Sequence, residues 1–227
     1  MKRIDSQHLE NLILEWGASL VGFAELTGLV PNEDEHLPYG IAIAIRLSDA
    51  VMDGIANGPT RMYVKLRQTV NSRLDRIGAA IVSHLEGNGF KTHLIPVSQY
   101  VSSDEQSLPH KTVATRGGLG WIGRNNLLIT PQFGPRVRLI SVLTNAQLKT
   151  AKPISLSMCG DCSVCIDSCP ANALKGAFWD PSISNLKMVD FEECEKHIEK
   201  YERKLNAPVC GICISVCPVG TRRLRKI

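Results

Sequence analysis

Cys159, Cys162, Cys165 and Cys169 are separated by two, two and three residues, and Pro170 follows the last of them. Short gaps let three thiolates converge from one loop on a single cubane. A fourth cysteine placed three residues further on points away and serves a neighbouring cluster, as in the bacterial run that wraps paired iron–sulfur clusters. Pro170 then turns the chain with a fixed φ.

A second run lies near the C-terminus: Cys210, Cys213 and Cys217, followed by Pro218. A full copy of the first run needs a cysteine at position 207, which is Ala207. One ligand is missing there, and one further cysteine exists, Cys194. Two 4Fe-4S clusters need eight thiolates, and the chain has eight cysteines. The crossover of the fourth cysteine assigns Cys159, Cys162, Cys165 and Cys217 to one cluster and Cys169, Cys194, Cys210 and Cys213 to the other. Zinc prefers paired C-x2-C knuckles and does not call for a three-residue gap closed by Cys-Pro, twice. Disulfides suit a secreted chain, and no secretory segment opens this one.

The elements that must position these thiols follow from the rest of the chain. Its 227 residues allow one medium domain plus a small one, and 44% hydrophobic with 21% charged residues is an ordinary globular composition. No apolar run approaches bilayer length, so no membrane partner is expected, and eight reduced thiols suit a cytoplasmic location. A net charge of +4 is too small to argue for nucleic acid. The basic cluster Arg222, Arg223, Arg225 and Lys226 reads first as a solvated tail.

Apolar spacing predicts a helix over Ser6–Trp16 with Ser6 as its cap, and strands at Leu20–Ala24 and Gly40–Arg46. Between the strands, residues 31–38 are acidic and turn-rich, which predicts a surface loop. Met62, Leu66, Val70, Leu74, Ile77, Ile81 and Leu85 predict one long amphipathic helix. Phe90–Ile95 reads as a strand and Lys111–Gly118 as a short helix entering a glycine-rich turn. Strands at Leu127–Thr130 and Val137–Leu143 complete an α+β layer. Composition then changes, which places a boundary near residue 150 and two domains at 1–150 and 151–227.

Residues 95–99, 114–125, 128–131, 133–136 and 142–144, joined to the cysteine block with its lone Cys194, together resemble the epoxyqueuosine reductase family and the cobalamin-dependent reductive dehalogenases. The resemblance covers roughly residues 60–220. It implies a nitroreductase-like α+β domain that holds a corrinoid, followed by a ferredoxin-like two-cluster domain. The clusters would then pass single electrons to cobalamin, and a nearby acid would deliver a proton to a small-molecule or nucleotide-linked substrate. A small electron-donor protein would supply the electrons. The runner-up reading is a ferredoxin-type electron carrier or a corrinoid-reducing accessory protein. Full epoxyqueuosine reductases carry a further helical-repeat region associated with tRNA, and this chain stops ten residues after Cys217. That difference counts against tRNA as a partner.

By the same resemblance, the family's general acid, counted back without gaps from Trp121, falls on Asp104, with His110 or Lys111 as the other candidate donors. Gly118, Gly120 and Gly123 would let backbone pass close to a planar ring or a phosphate. Trp121 would either stack on a ring or pack the domain. Asn125, with Arg124, would hydrogen-bond corrin amides or a nucleotide phosphate, or sit exposed. Tyr63 reads as core packing.

Overall fold

The computed structural model describes residues 4–97, 108–183 and 185–221. In chain order these form α1 (Ser6–Glu15), β1 (Leu20–Glu25), a 3-10 turn (Asn32–Asp34), β2 (Tyr39–Arg46), α2 (Asp49–Asp53) and α3 (Arg61–Gly87). There follow β3 (Thr92–Ile95), α4 (His110–Arg116), β4 (Trp121–Ile122), β5 (Leu128–Ile129) and β6 (Val137–Thr144). The thiol-bearing region holds α5 (Val164–Asp167), α6 (Asn185–Met188), α7 (Phe191–Leu205) and α8 (Ile212–Ser215). Among the described residues no helix is long and apolar enough to cross a membrane.

A four-stranded sheet in the order β1-β2-β6-β3 and a β4-β5 hairpin make this a mixed helix-and-sheet fold. β1 pairs antiparallel with β2, from Leu20 opposite Ala44 to Glu25 opposite Tyr39. β3 pairs antiparallel with β6, from Thr92 opposite Thr144 to Ile95 opposite Ser141. The inner strand β2 is buried from Gly40 to Ile45 on both faces, which is why its sequence reads as a continuous apolar run rather than an alternation. Ile41, Ile43 and Ile45 are at most 2% exposed, and each contributes about 1.5–3 kcal/mol by burial.

The chain divides into two compact units that interleave along the sequence. One comprises residues 1–45, 70–119 and 138–154; the other comprises 46–69, 120–137 and 155–227. The change of composition near residue 150 marks where the cysteines begin. It does not reveal the two earlier segments that join them, because those carry ordinary globular sequence.

In the first unit the start of α1 is capped by Asp5, whose carboxylate accepts from Gln7 N at 3.0 Å and His8 N at 3.1 Å. Ser6, expected as the cap, instead accepts from Lys149 N at 2.8 Å. The acidic 31–38 segment is not all surface: Asp34 is 6% exposed and accepts from His93 Nδ1 at 2.8 Å. On α3, a Cβ at Gly78 would stand 2.7 Å from Leu94 Cδ1. That close approach to β3 offsets the roughly 1 kcal/mol that glycine costs inside a helix.

In the second unit, backbone packs directly on backbone where residues 133–134 meet 219–220. A Cβ at Gly134 would lie 1.9 Å from Val219 O, and one at Gly220 would lie 2.0 Å from Phe133 C. Both glycines have positive φ, +56° and +75°. The residue after the second Cys-Pro pair is thereby fixed against the turn that follows β5.

Candidate metal centre

All eight cysteines lie in the second unit, all are free thiols and all are half-buried. Their electrostatics separate them into two groups. Burial, with Cys159 and Cys162 adding to it, raises the Cys165 thiol to about 11. Cys217 is likewise pushed to about 11 by burial, with Cys165, Cys159 and Cys162 adding to it. Burial also raises Cys194, with Cys210 and Cys169 as its thiol neighbours. Cys210 is raised by burial and by Cys169. Cys213 is the most deeply placed; burial pushes it up, followed by Cys210, Cys165, Cys169 and Cys194.

The thiols that act on one another thus fall into Cys159, Cys162, Cys165 and Cys217 on one side and Cys169, Cys194, Cys210 and Cys213 on the other. Cys213 feels both groups through Cys165. A crowd of buried thiols is costly to ionise unless cations join them, so this donor set fits iron. Among the described residues no three His, Cys, Asp or Glu converge on a single-ion site. A cubane asks for no such convergence, since each thiolate takes a different iron.

The supporting contacts come from the earlier segments of the same unit. Arg124 donates from Nε to Gly176 O at 3.0 Å and from Nη1 to Cys162 O at 3.1 Å. Its guanidinium also lies 4.9 Å from the Phe178 ring centroid and works to lower Cys165. Asn125, 4% exposed, donates from Nδ2 to Cys213 O at 3.3 Å and accepts from Leu127 N at 3.2 Å. Gly211, at φ +86°, opens α8, and a Cβ there would meet the Tyr63 hydroxyl at 2.8 Å. Tyr63 is a buried packing residue, as its helical spacing predicts.

Arg136 is the contribution that spacing did not reveal. It is 3% exposed and donates from Nη2 to Ser215 O at 2.8 Å. Nη1 reaches Asp53 at 2.7 Å and Asp49 at 3.4 Å. Asp49 is also paired with Arg46. Ser215 in turn donates from Oγ to Met52 O at 2.6 Å. One buried guanidinium therefore ties α2 to α8, which carries Cys213 and leads to Cys217, thiols of different groups. Its partners lie 79 and 87 residues away in sequence, so no local motif marks it.

The residues expected to cradle a corrinoid are otherwise engaged. A Cβ at Gly120 would lie 2.0 Å from Ile129 O, one at Gly118 would lie 2.9 Å from Ala151 Cβ, and one at Gly123 would lie 2.7 Å from Ile129 Cγ1. These glycines admit the chain's own hairpin and the side chain of Ala151. Asn125 is spent on the Cys213 loop. Trp121 is 6% exposed, and its Nε1–H is buried without a partner among the described residues; it is the one group of the set left to meet an acceptor.

Of the expected proton donors, Asp104 lies outside the described residues, as do the basic residues 222–226. His110 is in the first unit with both ring nitrogens taken: Nδ1 lies 3.0 Å from Ser141 Oγ and Nε2 3.0 Å from Pro96 O. A carbonyl accepts only, so Nε2 carries the proton and Nδ1 accepts from the serine. Burial pulls the ring down to about 4, with the Arg138 charge adding to it against the Pro96 bond. His110 is thus a neutral clamp between β6 and the end of β3, not a ready acid. Its neighbour Lys111 is drawn down to about 8 by burial, a range suited to proton delivery near neutrality.

Residues 158–220 match a 4Fe-4S double cluster binding domain. An epoxyqueuosine reductase of Bacillus cereus is 32% identical over 153 residues, covering 66% of this chain and 37% of that protein. Among solved structures, a reductive dehalogenase described as suggesting a mechanism for B12-dependent dehalogenation superposes with a TM-score of 0.72 at 20% identity, covering 94% of this chain and 32% of that one. An epoxyqueuosine reductase solved with a tRNA-Tyr epoxyqueuosine-modified tRNA stem loop gives 0.57 at 19% identity, covering 95% and 66%. The chain therefore spans little more than a third of that Bacillus cereus relative's length.

Proposed function

We infer, from a chain that carries a 4Fe-4S double cluster binding domain and is similar to epoxyqueuosine reductases with the fold of reductive dehalogenases, that it is an iron–sulfur reductase. Cys159, Cys162, Cys165 and Cys217 hold one 4Fe-4S cluster, and Cys169, Cys194, Cys210 and Cys213 hold the other. Clusters of this kind supply one-electron redox chemistry at potentials set by burial and hydrogen bonding. Arg124, Asn125 and Arg136 hold the loops that carry the ligands. The observation that carries the reading is the grouping of the eight thiols, which agrees with the crossover expected from their spacing.

The finer part of the proposal follows the relatives. The nitroreductase-like domain expected over residues 1–150 would carry the substrate site and hold a cobalamin, which would supply the reductive chemistry there. The substrate is a small or nucleotide-linked molecule, with a modified tRNA stem loop as the form that one structural relative was solved with. Asp104 is the proposed proton donor and Lys111 the reserve. The chain's own contacts at Gly118, Gly120 and Gly123 favour, as the second reading, an electron carrier or corrinoid-reducing accessory.

Anaerobic reconstitution with iron, sulfide and cobalamin tests both. The reductase reading expects about eight irons per chain and cobalamin retained through gel filtration. Full iron without cobalamin moves the assignment to the carrier. Zinc, or fewer than about four irons, ends both.

A further inference from the structure

A groove of about 300 Å³ in the second unit runs between the first turns of α3 and the last turn of α7. Arg61 and Lys65 line it from α3, and Arg203 and Lys204 from α7, with Val64 and Leu205 between them. All four cations are exposed. Among the described residues none of them makes an ion pair, and Arg203 reaches only a backbone carbonyl, Glu199 O, at 3.5 Å. The pair on α7 complements the negative end of that helix, but the pair on α3 stands at a positive end that carries no acidic residue in its first turn. A cation there opposes the helix dipole and costs stability. Folding does not ask for them.

The groove also has an address. Asn206 on its wall precedes Cys210 by four residues, a span of at most about 14 Å. Arg203 stands nine residues along α7 from Cys194, also about 14 Å. Arg67 donates to Pro208 O at 3.4 Å, tying the α3 side to the chain leading into Cys210. Cys194 and Cys210 belong to the same thiol group. The groove therefore opens beside the cluster of Cys169, Cys194, Cys210 and Cys213.

We propose that this groove docks an acidic one-electron carrier protein, and that electrons enter through the cluster of Cys169, Cys194, Cys210 and Cys213 and leave through the other. The proposal rests on the iron–sulfur reading above and names the partner of that centre. In each encounter the reduced carrier loses one electron and the cluster gains it; no bond is made or broken. A protein fits the groove better than a nucleic acid. Its lining sets apolar Val64 and Leu205 among the four cations, and such a mix of apolar and arginine surface suits a protein interface. Carboxylates on the carrier would meet the four cations and steer the encounter.

The test is stopped-flow reduction of the anaerobically reconstituted full chain by a reduced acidic 2Fe–2S ferredoxin, with dithionite as a reductant that needs no docking. The expected result is a second-order ferredoxin rate that falls steeply with salt and drops about tenfold or more in the double variant Lys65→Glu/Arg203→Glu. Iron content and dithionite reduction stay unchanged. A ferredoxin rate that ignores both salt and the variant overturns the proposal. So does a variant that keeps this rate but loses affinity for a tRNA stem loop, which would reassign the groove to RNA. Wild-type protein without iron, or with iron that dithionite cannot reduce, sinks the iron–sulfur reading and the docking site with it, and so separates the two failures.

Discussion

Replacing Arg136 by Met removes the guanidinium and keeps most of its volume. What is lost is one charge-assisted bond to Ser215 O at 2.8 Å and the pairing with Asp49 and Asp53. The bond to the carbonyl is worth about 1.5–3 kcal/mol. Asp53 is 67% exposed, so its share is that of a surface pair, about 0–1 kcal/mol. Asp49 keeps Arg46 as a partner, which prevents the full cost of a stranded buried charge. The sum is about 2–4 kcal/mol, a large part of the ~5–15 kcal/mol that holds a domain together. For a chain of this size that lowers Tm by roughly 4–16 °C. Because Ser215 sits between Cys213 and Cys217, the iron bound by both thiol groups should fall together. Arg136→Lys keeps the charge but cannot reach α2 and α8 at once, so it should recover only part. The measurements are a thermal melt and an iron assay on anaerobically reconstituted protein. A Met variant with wild-type Tm and full iron would refute the assignment of Arg136 as the tie on α8.

Three further outcomes are expected. Cys194→Ala should cost about half of the bound iron; loss of all of it, or of none, would break the division into two thiol groups. Gly134→Ala would force a Cβ to 1.9 Å from Val219 O at a φ of +56°, so it should destabilise by about 2–4 kcal/mol, read as a lower denaturation midpoint, whereas Gly28→Ala, in open space at φ +74°, should cost only the left-handed backbone strain, about 1–2 kcal/mol. The His110 ring titrates at about 4 folded against 6.5 unfolded, so the unfolded chain takes the proton first. Its stabilisation is complete above about pH 6.5 and is lost as pH falls toward 4, about 1–3 kcal/mol in all. Urea midpoints at pH 7.5 and 5 should therefore converge in His110→Asn relative to wild type, and parallel midpoints would exclude the clamp.

Much of the metal centre is legible in the residues alone, because cluster ligation is a matter of short spacing on one strand of chain. Counting gaps in the two cysteine runs yields the thiol grouping, and the lone Cys194 completes it. The strands and the long helix are legible for a similar reason: each announces its own periodicity. What fails is whatever depends on distant partners. Gly120 and Gly123 look like room for a ligand until Ile129 is seen in that room. Asn125 looks like a polar hand for a cofactor until Cys213, 88 residues away, is found holding it. Asp34 sits in a stretch that reads as solvated, and its partner His93 lies 59 residues away. Arg136 falls in a stretch that carries the resemblance, yet nothing local tells that its partners stand 79 and 87 residues away.

The interleaving of the two units bears on how the metal is received during synthesis. Residues 46–69 and 120–137 leave the ribosome before Met158 does, so the anchors Asp49, Arg124, Asn125 and Arg136 are already made when the first thiol emerges. A fragment excised from residue 155 onward would keep every sulfur yet lack the bed on which those sulfurs are arranged.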